Sequence, residues 1–218
     1  MSMWAVIMLL ISLSFAREPY EYGRYTSYYG EQDVSVVRIQ EDLYIGKEVP
    51  DVKVKTPRGE VSFREFIKGK PTALLFAYYT CDSVCPISAE HLYKVSKNLS
   101  EDYRYVVLSF DDRDNFQTMR DFMLKNFKTT EPPSNWLVGL LSKEDIRKLT
   151  QAVGYKFYYI DRDKIFIHPN ATIFLSPDGK VMRYLYGAFL REKDVSLAFI
   201  DAQRERPSVN RLVDLAIL

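Results

Sequence analysis

Residues 72–99 read TALLFAYYTCDSVCPISAEHLYKVSKNL. Thr72 to Tyr79 is a continuous apolar run, as expected of a strand buried on both faces. From Pro86 to Leu99 the pattern becomes helical. Leu92, Val95 and Leu99 fall on one face, and Pro86 suits a first turn. Cys81 and Cys85, the only two cysteines in the chain, lie where strand hands over to helix. A buried strand feeding a helix through a cysteine-bearing turn opens an α/β unit.

The flanking sequence extends that unit in both directions. Downstream, Tyr105 to Phe110 (YVVLSF) reads as a second buried strand, and residues 114–127 as a helix with a Phe116, Met119, Met123, Phe127 stripe. Ser142, with Asp145 three residues on, caps a helix reaching Ala152. Thr172 to Leu175, the turn Ser176-Pro177-Asp178-Gly179, and Lys180 to Tyr186 form a hairpin, and residues 191–204 a last helix. Upstream, Val52 to Thr56 alternates, Pro57-Arg58-Gly59 turns it towards Val61, and SFREFI (62–67) is a short capped helix stopped at Gly69. The order β-α-β-α-β-β-α predicts an α/β fold with a mixed central sheet and flanking helices. A parallel β-α-β half followed by an antiparallel hairpin and closing helix is the thioredoxin-like plan.

The ends read differently. Trp4 to Phe15 is an uncharged apolar run of 12 residues, short of the roughly 20 needed to span a bilayer. With Ser14 and Ala16 as small residues, 1–16 is expected to be a signal peptide; the alternatives are a short buried segment or an uncleaved membrane anchor. Residues 17–33 are polar and Tyr-rich with no period, a flexible lead. A thioredoxin-like domain is expected over 34–206, followed by a tail, 207–218, that ends in Asp214-Leu215-Ala216-Ile217-Leu218. Export would place the protein in the periplasm or on the outer face of the inner membrane, where thiols meet oxidising conditions. The 30 Lys+Arg against 29 Asp+Glu leave a formal +1, which argues against a nucleic-acid partner. Two cysteines cannot staple a disulfide-dense mini-fold.

A spacing of four puts both sulfurs on one face of a helix and keeps them close even in a loop. Amides at a helix start favour thiolate, whereas the Asp82 charge opposes it, so modest activation is expected. A structural disulfide is the rival reading, since helical i,i+4 Cα atoms stand about as far apart as a disulfide tolerates. It would close so short a loop that little unfolded-state stabilisation results. Of the two histidines, His91 is six residues past Cys85, roughly 240° round a helix, and should face away from the sulfurs. His168 precedes the hairpin strand, at the end where this fold brings a loop beside the cysteine-bearing helix. Met119 and Met123 lie on an apolar stripe and read as core. Asn98-Leu99-Ser100 and Asn170-Ala171-Thr172 are sequons of a kind that arises by chance.

From about Leu43 to Gln203 the chain resembles the Sco (SenC) family of copper-binding proteins. The resemblance is carried by Tyr79-Thr80, Cys81-x3-Cys85-Pro86, Ser109-Phe110-Asp111-Asp112-Arg113-Asp114, His168 and Leu175-Ser176-Pro177-Asp178-Gly179. It implies copper held by Cys81, Cys85 and His168 on a thioredoxin-like fold, and a partner in the copper-bearing subunit of cytochrome c oxidase or another copper or thiol protein. Many relatives have Pro where this chain has Asp82, and Pro is common at the position of Asp112. Two thiolates and an imidazole suit Cu(I), and a structural zinc site would want a fourth ligand.

Two functions compete. One is a copper metallochaperone for the oxidase copper site; the other is a thiol–disulfide oxidoreductase cycling a Cys81–Cys85 disulfide, for which His168 is not required. A thiol peroxidase is excluded. Peroxiredoxins place Thr or Ser three residues before the reactive cysteine and Pro seven before it, where this chain has Tyr78 and Leu74 for Cys81, and Asp82 and Tyr78 for Cys85.

Overall fold

The computed structural model describes residues 34–82 and 84–207. The expected signal peptide, the Tyr-rich stretch up to Asp33 and the tail beyond Pro207 lie outside the described residues. Two 3-10 turns, Val34–Val37 and Glu41–Leu43, lead into a hairpin of β1 (Lys53–Thr56) and β2 (Gly59–Ser62). The short helix α1 (Phe63–Ile67) follows, with the Ser62 side chain accepting from the Glu65 amide.

The central sheet contains β3 (Thr72–Ala77), β4 (Arg104–Ser109), β5 (Trp136–Gly139), β8 (Ala171–Leu175) and β9 (Val181–Tyr186), in the order β5-β4-β3-β8-β9. Between them run α2 (Val84–Ser96), α3 (Phe116–Phe127), α4 (Lys143–Ala152), the hairpin of β6 (Tyr158–Ile160) and β7 (Ile165–Ile167), and finally α5 (Glu192–Gln203). Strands β3, β4 and β5 are parallel; β8 runs antiparallel to β3, and β9 antiparallel to β8. This is the thioredoxin-like mixed sheet that the sequence predicts. No helix among the described residues is long and apolar enough to cross a membrane.

Strand β3 is central, and all six of its residues are buried, which is why it reads as unbroken apolar sequence. Leu74, Phe76, Tyr105, Leu108, Ile173, Phe174 and Phe199 form the heart of the core. Each such side chain contributes about 1.5–3 kcal/mol on burial. Tyr105 stacks on Trp136 with ring centroids 4.8 Å apart, joining β4 to the edge strand β5.

Three sequence expectations are corrected. Strand β5 and the β6–β7 hairpin were not anticipated: four- and three-residue strands are too short to show a period. Helix α2 starts two residues before Pro86 and ends at Ser96, leaving Leu99 in the turn beyond. Phe116 does not join the α3 stripe. Asn115 caps that helix, so Phe116 stands in its first turn and is 48% exposed, while Met119, Met123 and Phe127 are buried.

Candidate metal centre

Strand β3 ends at Ala77, and Tyr78–Asp82 leave the sheet at its C-terminal edge. The turn there is fixed from several sides. The Cys81 amide donates to the Tyr78 carbonyl at 3.1 Å. The Tyr79 hydroxyl reaches across two strands to donate to the Gly139 carbonyl at 2.7 Å and to that of Val107 at 3.1 Å. The Tyr79 amide donates to Asp114 Oδ2 at 2.8 Å, and the same oxygen accepts from Ser109 Oγ. Asp114 thereby ties the start of the cysteine turn to the loop after β4.

His168 arrives from the other side. Because β8 is antiparallel to β3, with Leu75 opposite Thr172, the residues just before β8 lie beside the end of β3. Ser88 on α2 donates to Asn170 Oδ1 at 2.9 Å, and the Gly187 amide donates to the Asn170 carbonyl at 3.0 Å. Asn170 therefore fastens the histidine loop to the cysteine helix. Its side chain is held by that bond to Ser88, a structural role for the asparagine of that sequon.

Cys81 and Cys85 are 5% and 3% exposed and both are free thiols in this structure. Their side chains hydrogen-bond to each other, and Tyr78 hydrogen-bonds to Cys81. Cys85 Sγ is 3.1 Å from His168 Nε2. On the far side of the ring, His168 Nδ1 is 2.9 Å from the Pro169 carbonyl and 2.8 Å from the Tyr155 hydroxyl. A carbonyl only accepts, so Nδ1 carries the proton, and the Nε2 lone pair faces the Cys85 thiol. Phe110 packs on the ring with centroids 5.1 Å apart.

The three candidate ligands are thus brought together, closed on one another by hydrogen bonds. As it stands this is not a preformed cage: among the described residues, no group of three or more His, Cys, Asp or Glu could hold a metal ion. His91 is elsewhere, half-buried, with its ring edge-on to Phe189 at 5.7 Å.

Electrostatics favour neutral groups. The hydrogen bond with Cys81, then burial, push the Cys85 pKa well above its ordinary 9.0. The expected thiol activation is therefore overturned at Cys85: its neighbour and the apolar surroundings outweigh the amides near the helix start. Burial holds the His168 pKa below its ordinary 6.5, and the Pro169 hydrogen bond opposes this only in part.

The two shifts act at opposite ends of the pH scale. Below 6.5 the unfolded chain takes up a proton that folded His168 refuses, so this contribution to stability is lost as pH falls through the folded pKa. Above 9.0 the unfolded chain releases a proton that folded Cys85 keeps, so stability is lost as pH rises. Urea unfolding at pH 5.5, 7.5 and 10 should show the acid loss reduced in His168→Phe and the alkaline loss reduced in Cys85→Ala. Unchanged pH slopes in both variants would contradict the assignment.

Sequence reasoning missed the roles of Asp114, Tyr78 and Tyr155. Asp111, in the same acidic segment as Asp114, is a brace: its carboxylate accepts from Arg113 Nε at 2.7 Å and Nη2 at 2.8 Å. Arg113 then lies over the Tyr159 ring at 4.3 Å, against the hairpin leading to His168. The acidic segment after β4 thus supports both approaches to the site, Asp114 on the cysteine side and Asp111 on the histidine side.

A paired-thiol turn at the end of the central strand, faced by a loop histidine, defines a thioredoxin-like thiol protein. The family model described as SCO1/SenC matches residues 53–196, and the chain belongs to that family. No curated protein sequence matches it. Among solved structures, it is similar to the candidate electron-transfer protein of Aquifex aeolicus VF5, at 27% identity and TM-score 0.67, covering 73% of this chain and 95% of that one. It shares the fold of copper-bound ScoI from Arabidopsis thaliana, at 20% identity and TM-score 0.57, covering 72% and 98%. It also shares the fold of BsSco, described as a Sco-family cytochrome c oxidase assembly protein with a disulfide switch, at 21% identity and TM-score 0.58, covering 76% and 97%.

Proposed function

We propose that the protein is a copper metallochaperone that binds one copper through Cys81, Cys85 and His168 and assists maturation of the copper site of cytochrome c oxidase. The observation that carries this reading is the 3.1 Å contact between Cys85 Sγ and His168 Nε2, with the ring proton on the opposite nitrogen. That arrangement presents an imidazole lone pair beside two thiols. Thiolates are the soft ligands that select Cu(I). A site of two sulfurs and one nitrogen leaves an open position through which the ion can pass to a partner. Copper in the related ScoI and the assembly role given to BsSco support the same reading.

Uptake must displace the Cys85 proton, so affinity for copper rises with pH. The apolar run Trp4–Phe15 supports export, with the domain in the periplasm or on the outer face of the inner membrane.

The Cys81–Cys85 contact favours a second reading, a thiol–disulfide oxidoreductase that keeps partner cysteines reduced. The same two sulfurs would close into a disulfide, and His168 would be a bystander.

Titration of the reduced protein with Cu(I) against a competing chelator tests the first reading. One equivalent should bind, and His91→Ala should bind as wild type does. Failure of the wild-type protein to hold copper in that competition would reject the metallochaperone.

A further inference from the structure

We infer that Tyr155 is a positioning residue: its phenol holds the His168 ring in the orientation and tautomer that turn Nε2 towards the cysteines. The inference rests on His168 as a ligand and adds a residue that lies far from the cysteine motif.

The Tyr155 hydroxyl stands 2.8 Å from His168 Nδ1. Histidine in water favours its proton on Nε2, the tautomer that would close that nitrogen to a metal. Holding the proton on Nδ1 therefore requires acceptors at Nδ1. Two are present, and they do different work. The Pro169 carbonyl, 2.9 Å away, belongs to the next residue and travels with the histidine loop. It favours the Nδ1 proton only while the ring stays aligned with it, and it does not fix the ring against the rest of the molecule. Tyr155 comes from a separate element and supplies that external reference.

The phenol is rigidly mounted. Tyr155 is 1% exposed, and its ring packs on Phe76 of the central strand at 4.8 Å and on Phe110 at 5.7 Å. Its amide donates to the Thr150 carbonyl at 2.8 Å, anchoring it to the last turn of α4. The preceding Gly154 has φ +68 and the Tyr44 ring pressed against it, so close that an added Cβ would lie 2.3 Å from Tyr44 Cε2. Only glycine fits there, and the turn it makes delivers Tyr155 to the histidine.

Outer partners of a metal-binding histidine typically alter affinity 10–100-fold when removed. Because Pro169 remains as one acceptor, Tyr155→Phe should weaken Cu(I) binding by about 10-fold, the lower end of that range. The deciding readout is the apo protein. Nitrogen-15 NMR of the two histidines, with His91→Ala to assign them, should show His168 Nε2 unprotonated in wild type and the Nε2–H tautomer populated in Tyr155→Phe. Tyr184→Phe is the control. That buried hydroxyl donates to the Val153 carbonyl at 2.9 Å. It should lower stability while leaving the His168 signals unchanged.

A Tyr155→Phe protein with wild-type His168 nitrogen shifts overturns the inference, whatever its copper affinity. So does an equal shift in Tyr184→Phe, which would make the effect general loosening. A wild-type protein that takes up no Cu(I), yet shows the tautomer change on Tyr155→Phe, overturns the copper reading and leaves the hold on His168 standing.

Discussion

Cys85→Ser protein should fold and hold no copper against a Cu(I) chelator that the wild type withstands. Cys85 is central to the site, since it is hydrogen-bonded to Cys81 and stands 3.1 Å from His168 Nε2. Serine keeps the size and a hydroxyl able to donate to His168 Nε2, so the loop has no reason to open. What it removes is the soft, polarisable donor, and an alcohol oxygen is a poor ligand for Cu(I). The loss should exceed the 10–100-fold typical of changes to outer partners. Cys81→Ser should lose a thiolate in the same way while also disturbing the hydrogen bond to Tyr78. Thermal unfolding run beside the competition assay separates a lost ligand from a lost fold. A folded Cys85→Ser protein that kept one equivalent of copper would sink the ligand assignment.

The strand–turn–helix that carries the cysteines was legible because its physics is local. A central strand is covered on both faces, so Thr72–Ala77 is buried throughout and apolar after Thr72, and the helix after it switches period within a few residues. Strand β5 was not legible: Trp136–Gly139 is four residues long and follows Pro132-Pro133. The β6–β7 hairpin, with YYI facing IFI across DRDK, is equally short. His168 could be placed near the cysteines only by way of the fold, because the approach depends on β8 pairing antiparallel with β3 across most of the domain. Tyr155 gave no signal at all. In GYKFYY (154–159) it looks like Tyr158 and Tyr159, and which phenol meets the histidine is decided by the turn after α4. Asp114 sat in a segment already singled out, but its contact with the Tyr79 amide joins residues 35 apart in sequence. Contacts of that range leave no local pattern.

His168→Ala divides the two functional readings, and the structure sharpens the test. As a loop residue just ahead of the hairpin strand, His168 would be expected to add little to the core. Instead the ring is packed against Phe110, Tyr155 and Tyr78, so its removal opens a cavity and should destabilise the domain by about 2 kcal/mol. His168→Phe keeps aromatic volume and should lose the same function with a smaller loss of stability. If the protein delivers copper, both variants bind Cu(I) poorly, because two thiols remain without their nitrogen partner, and cells carrying them lose cytochrome c oxidase activity. If the protein reduces disulfides, the chemistry needs only two sulfurs that can close on each other, and Cys81 and Cys85 already touch. Oxidase activity would then survive both substitutions and fail only when a cysteine is replaced. Measured under copper limitation, with protein abundance checked by immunoblot, near-normal oxidase activity in His168→Phe cells would reject copper delivery and favour the reductase. Activity lost in His168→Phe as fully as in Cys85→Ser would reject the reductase, because a redox pair has no use for the imidazole nitrogen that the fold turns towards it.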